Sequence, residues 1–114
     1  MNDRIKKVNA LIKQEVAQLL LKEAEFPGGV LATVTRVDTS PNLIQSKVYV
    51  SFLPEGKEKE ALGVLQKQVY FLQQKLNRRL KMRPTPKIIF VLEKEAEKAG
   101  KVEELLETLK KGKK

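Results

Sequence analysis

Residues 61–92 read ALGVLQKQVYFLQQKLNRRLKMRPTPKIIFVL, and this stretch decides the fold. Leu62, Leu65, Val69, Leu72, Leu76 and Leu80 recur at steps of three and four, the spacing that gathers side chains on one face of an α-helix. Arg83-Pro84-Thr85-Pro86 stops that helix, because a proline disfavours helical backbone in the residue before it. Lys87-Ile88-Ile89-Phe90-Val91-Leu92 then runs apolar without alternation, the pattern of a strand buried on both sides and so central or parallel in its sheet. A long helix feeding such a strand predicts a crossover unit, provided that another strand precedes it.

Two strands do precede it. Val30 to Val37 and Ile44 to Leu53 are rich in β-branched residues, and Val48, Val50 and Phe52 alternate with Lys47, Tyr49 and Ser51 as in a half-exposed strand. Asp38-Thr39-Ser40-Pro41-Asn42 between them is turn chemistry, which predicts an antiparallel hairpin. Upstream, Ile5, Val8, Ile12, Val16, Leu19 and Leu20 give a first helix over about 3–23, with Asp3 at its start and Phe26-Pro27-Gly28-Gly29 beyond its end. The long helix spans about 57–82. Val102, Leu105, Leu106 and Leu109 mark a short C-terminal helix. The reading is one domain over 1–110 with a basic tail at 111–114. Its class is α+β, two layers, with helices covering one face of a small mixed three-stranded sheet.

Composition narrows the function. A chain of 114 residues fits one compact domain, and an apolar fraction of 41% supports a core. The net charge of +9 points to nucleic acid, an anionic membrane or an acidic protein as partner. There is no cysteine and no histidine, which removes disulfides, thiolate chemistry, the usual neutral-pH base and the commonest metal ligand. The N-terminus starts with charge followed by apolar residues, but Lys13, Gln14, Glu15 and Gln18 make it amphipathic and no cleavage site follows. The sequence predicts a soluble, cytoplasmic, non-enzymatic protein with no cofactor, no metal site and no membrane partner.

Between Glu60 and Glu93 there is no acidic residue, while Lys67, Lys75, Arg78, Arg79, Lys81, Arg83 and Lys87 all fall there. With Val69 inward, a straight helix sends Lys67, Gln74, Arg78 and Lys81 to the far side, with Lys75 and Arg79 on one flank. A merely solvated helix face usually mixes both signs four residues apart. Here the segment supplies no acid, so the pattern favours a polyanion surface. Phe71 also falls on the outward side. Either its ring is exposed for stacking on an unpaired base, or the helix breaks near Gln68-Val69-Tyr70 and the phase resets to turn Phe71 inward. The break is the preferred reading, since large aromatics on such helices are more often core. Glu93, Glu95, Glu97, Glu103 and Glu104 read as acids at a helix start and on its polar face rather than as catalytic pairs.

Val34-TRVDTSPNLIQSKVYV-Ser51, a following helix, and Lys81-Met-Arg83-Pro-Thr-Pro86-Lys-Ile-Ile-Phe90 together resemble the ribosome-binding factor A family of bacteria. Arg4, Ile12, Glu15 and Val16 of the first helix also fit, so the resemblance covers about residues 3–109. It implies a type II KH-like fold ordered helix, strand, strand, helix, kink, helix, strand. It implies a monomeric cytoplasmic factor, not an enzyme, that binds the immature small (30S) ribosomal subunit and its 16S ribosomal RNA. Such factors assist late maturation and processing of the 5′ region of that RNA, support growth in the cold, and are released in concert with an assembly GTPase. The family's interhelical kink reads Ala-x-Gly, and the aligned residues here are Gln68, Val69 and Tyr70. On this reading Lys67, Lys75, Arg78, Arg79, Lys81, Arg83 and Lys87 contact RNA, with Arg4, Lys7 and Lys47 extending the footprint. The alternative partners are an acidic protein, for which the basic face is a protein-interaction surface, and an anionic membrane. The membrane is disfavoured because the apolar stripe is needed for the core.

Overall fold

The computed structural model describes residues 3–26 and 28–93. The C-terminal helix and the basic tail expected from the sequence lie outside these residues. Helix α1 spans Asp3–Lys22, strands β1 and β2 span Leu31–Thr39 and Gln45–Leu53, helices α2 and α3 span Glu58–Lys67 and Val69–Arg79, and strand β3 spans Lys87–Leu92. The element order follows the apolar periodicity, with the long helix expected over about 57–82 divided in two and ending earlier. No helix among the described residues is long and apolar enough to cross a membrane.

The sheet runs β1-β2-β3, with β1 antiparallel and β3 parallel to β2. The helix pair α2–α3 is therefore the crossover between two parallel strands. Alternation along β2 buries Ser46, Val48, Val50 and Phe52 on one face of the sheet. Against that face pack Val8, Ile12, Val16, Leu19 and Leu20 of α1, Ala61 and Leu65 of α2, and Leu72, Leu76 and Leu80 at and just beyond α3. Each fully buried leucine or valine contributes about 1.5–3 kcal/mol relative to an exposed one, so this single layer supplies most of the drive to fold. Polar groups inside it are paired: Thr39 and Ser46 share a 2.7 Å hydroxyl contact, and Asn9 Oδ1 accepts the Thr39 N–H at 2.9 Å.

Strand β3 is parallel, as expected, but it is an edge strand and is not buried on both sides. Ile88 and Phe90 are buried while Ile89 and Val91 are half-buried, because the helices among the described residues cover only one face of the sheet. Glu93, expected at a helix start, instead continues the ladder, donating its N–H to Val50 O at 2.7 Å.

The helix break falls where the phase argument puts it, and it needs no glycine. Gln68 closes α2 and opens α3 with φ −97° and ψ 0°, a negative φ open to any residue. Its N–H turns back to Leu65 O at 3.0 Å, and its own carbonyl accepts from Leu72 N–H at 2.9 Å. The Gln68 side-chain amide grips the backbone of Glu25, donating to its carbonyl at 2.8 Å and accepting its N–H at 3.1 Å. A loop after α1 thus holds the kink in place. Val69 and Tyr70, grouped with the kink in the sequence, are already helical. The expected inward turn of Phe71 does not occur. The break redirects the axis while Leu65, Leu72 and Leu76 stay on the buried side, so Phe71 remains 44% exposed.

Candidate nucleic-acid interface

Helix α3 ends at Arg79 rather than Met82. Leu80 turns extended, at φ −91° and ψ 135°, while its N–H still reaches Leu76 O at 2.9 Å and its side chain stays in the core. The chain therefore leaves the helix from a fixed anchor, and Lys81 and Arg83 stand on the exit loop instead of on the helix. Gln73 fastens that loop. Its Nε2 donates to Pro86 O at 3.2 Å and to Asn77 Oδ1 at 3.0 Å, and its Oε1 accepts the Ile88 N–H at 2.8 Å. The same amide thereby occupies the open edge of β3 at Ile88. Thr85 Oγ1 donates to Met82 O at 3.2 Å and braces the loop from within.

Three grooves of about 770, 640 and 550 Å³ surround this exit, each lined by Met82 and Arg83. Lys87 and Gln73 line the first, Arg78 and Lys81 the second, and Lys81 the third, where Arg4 joins from the start of α1. The third is closed by the β1–β2 turn, which Ser40 Oγ and Asn42 Oδ1 brace by accepting the Ile44 N–H at 3.2 and 3.1 Å. Among the described residues no acid lines any of the three. The fold thus gathers Arg4, Arg78, Lys81, Arg83 and Lys87 from four separate places in the chain. Cations with neighbouring amide donors are the groups that bind phosphate oxygens.

The other expected contacts lie elsewhere. Lys67 ends α2, and Lys75 places its Nζ 5.4 Å from the centre of the Phe71 ring; neither lines the grooves. Lys7 is exposed on α1, and Lys47 is exposed on the sheet face away from the core. Arg79 is diverted: its Nη1 donates to Glu15 Oε1 at 2.9 Å and to Gln18 Oε1 at 3.2 Å, tying α3 to α1. The acid missing from the local sequence is supplied by the first helix. Beside the kink, Tyr70 is 75% exposed. With Val69, Gln73, Lys87 and Ile88 it lines a small groove of about 170 Å³. The exposed ring weighed in the sequence is that of Phe71; Tyr70, more exposed still, carries no such expectation there.

One arrangement gave no signal in the sequence. Arg36 lies over the Tyr49 ring, 3.8 Å from its centre, and its Nε donates to both carboxylate oxygens of Glu93 at 3.3 and 3.2 Å. The hydrogen bond to Glu93 holds Arg36 above the ordinary arginine value, against a smaller opposing effect of desolvation. Only a cross-sheet view brings together residues this far apart in sequence.

Fold and site define a class: a two-layer α+β domain of the KH-like type with a kinked helix pair and a basic helix exit. The chain belongs to the ribosome-binding factor A family, whose model matches residues 4–106. It is 37% identical over 107 residues to ribosome-binding factor A of Nitrosococcus oceani, covering 91% of this chain and 83% of that one. It is 32% identical over 112 residues to that of Clostridium botulinum, covering 96% and 93%. The crystal structure of ribosome-binding factor A from Thermus thermophilus superposes with a TM-score of 0.62 at 30% identity, covering 77% of this chain and 94% of that one. A Thermus thermophilus ribosome-binding factor A model fitted into the cryo-EM map of a 30S complex gives a TM-score of 0.63 at 30% identity, covering 73% and 88%.

Proposed function

We propose that this chain binds the immature small ribosomal subunit through 16S ribosomal RNA, and that Arg78, Lys81 and Arg83 are the centre of the contact. Lys87 and Arg4 border it. The observation that carries the reading is the convergence of these cations on one grooved exit with no acid among its described lining residues. The fit of a 30%-identical relative into a 30S complex supports the choice of partner. The factor acts by holding RNA in the cytoplasm as a monomer, assists maturation of the 5′ region of the RNA, and leaves with the help of an assembly GTPase. It carries out no covalent chemistry.

The test is a charge reversal of Arg78→Glu, Lys81→Glu and Arg83→Glu together. Arg79 is left out because its substitution would disturb the α1–α3 seam. About six phosphate contacts lose roughly a thousandfold in affinity between 50 and 200 mM salt, and removing three of them should flatten that dependence by about two to three units of slope. Binding of the folded triple variant to immature subunits at wild-type affinity would refute the assignment. A complex that survives ribonuclease would favour the second reading, an acidic protein partner.

A further inference from the structure

We infer that Arg36 forms a second phosphate-binding site, on the face of the sheet opposite helices α1, α2 and α3, so that RNA grips the domain from two sides. This rests on the RNA-binding reading above. The backbone itself is modified to produce the site. Pairing of β1 with β2 skips Thr35, running from Val34↔Val50 to Arg36↔Tyr49, and Thr35 Oγ1 donates to Tyr49 O at 3.2 Å across the irregularity. Without that bulge, strict alternation from the buried Val34 would point Arg36 into the core and Val37 out of it. With it, Val37 and Thr39 are buried and Arg36 stands on the outer face.

The guanidinium is held but not used up. Tyr49 supports one face of it, and Glu93, only 3% exposed, fixes its Nε. An arginine placed only to neutralise a carboxylate tends to meet it fork to fork, through two parallel N–H groups. Here a single N–H serves both oxygens, and among the described residues nothing accepts from Nη1 or Nη2. The side chain is 50% exposed. A planar pair of amino groups, pre-aligned and open to solvent, matches a phosphodiester. Lys47, one outward position along β2 from Tyr49, adds a second exposed cation, with Asp38 opposite it on β1. The RNA-binding reading of the helix exit, where cations gather with no acid among the described lining residues, is what favours a nucleic-acid phosphate over a protein carboxylate here.

The test is the double variant Arg36→Met/Glu93→Leu, which leaves net charge unchanged and strands no buried carboxylate. Thermal melting checks folding, and Arg36→Lys, which keeps charge but loses the fork, is the second variant. Affinity for purified immature small subunits should fall about tenfold in the double variant, with the salt slope reduced by about 1, and Arg36→Lys should lie between it and wild type. Unchanged affinity and slope in both variants would overturn the inference. So would weakened binding to the subunit proteins with binding to naked ribosomal RNA intact, which would assign the acceptor to a carboxylate. The helix-exit triple variant, run alongside, separates the failures. If it too binds like wild type, the RNA reading itself is wrong. If it alone loses binding, only the second site is.

Discussion

Arg78 and Arg79 are neighbours in the chain and belong to different parts of the molecule. Arg78 points into the grooved exit of α3, and no partner for it is found among the described residues. Arg79 turns into the seam between α1 and α3, where Glu15 and Gln18 take up its Nη1. A rotation of one residue along a helix separates a cation that remains available from one that the fold consumes. Local sequence density of charge is therefore a poor measure of a binding surface. Along α3, the useful quantity is the charge left after long-range pairing.

Charge reversal at the exit and at the seam separates the two arginines most strongly. Reversing Arg78, Lys81 and Arg83 should cost roughly a thousandfold in subunit affinity while moving stability by only about 0.5 kcal/mol, since surface changes away from packing are usually that small. Arg79→Glu should do the opposite. It sets two carboxylates together between helices and should cost about 1–2 kcal/mol of stability, read by denaturant melting, with binding of the folded fraction close to wild type. Equal binding losses at both positions would mean that the seam is also a contact surface. A smaller effect is expected at the kink. Gln68→Ala removes the amide grip on Glu25, worth about 1 kcal/mol in exposed surroundings, and should lower the melting temperature by about 4–8 °C. A variant with unchanged melting would place the cause of the kink elsewhere.

The fold was legible because its elements are written in short-range patterns. The apolar steps of α1, the alternation in β2 and the prolines after α3 each reflect local geometry, and the crossover followed from their order. The edge position of β3 was not legible, because an apolar run records burial without recording which strand lies in the middle. Of the site, the exit loop was readable as a cluster of cations. The residues that hold it were not. Gln73 is an ordinary polar residue until tertiary contacts bring Pro86 and Ile88 to it, and the same holds for the role of Glu15 as the partner of Arg79. Arg36 was hidden for a related reason: a one-residue bulge chooses its face, and its partner Glu93 enters from across the sheet.

The exit of α3, rather than basic surface in general, is the proposed RNA contact. Helix α1 supplies an internal control, because Arg4 at its start lines the exit whereas Lys22 is its last residue, about 27 Å away at 1.5 Å per residue. A photocrosslinking side chain placed at position 83, and separately at position 22, measures the difference on immature small subunits. Crosslinks to 16S ribosomal RNA are expected from position 83, and none above background from position 22. Crosslinks from position 22 with none from position 83 would contradict the proposed contact.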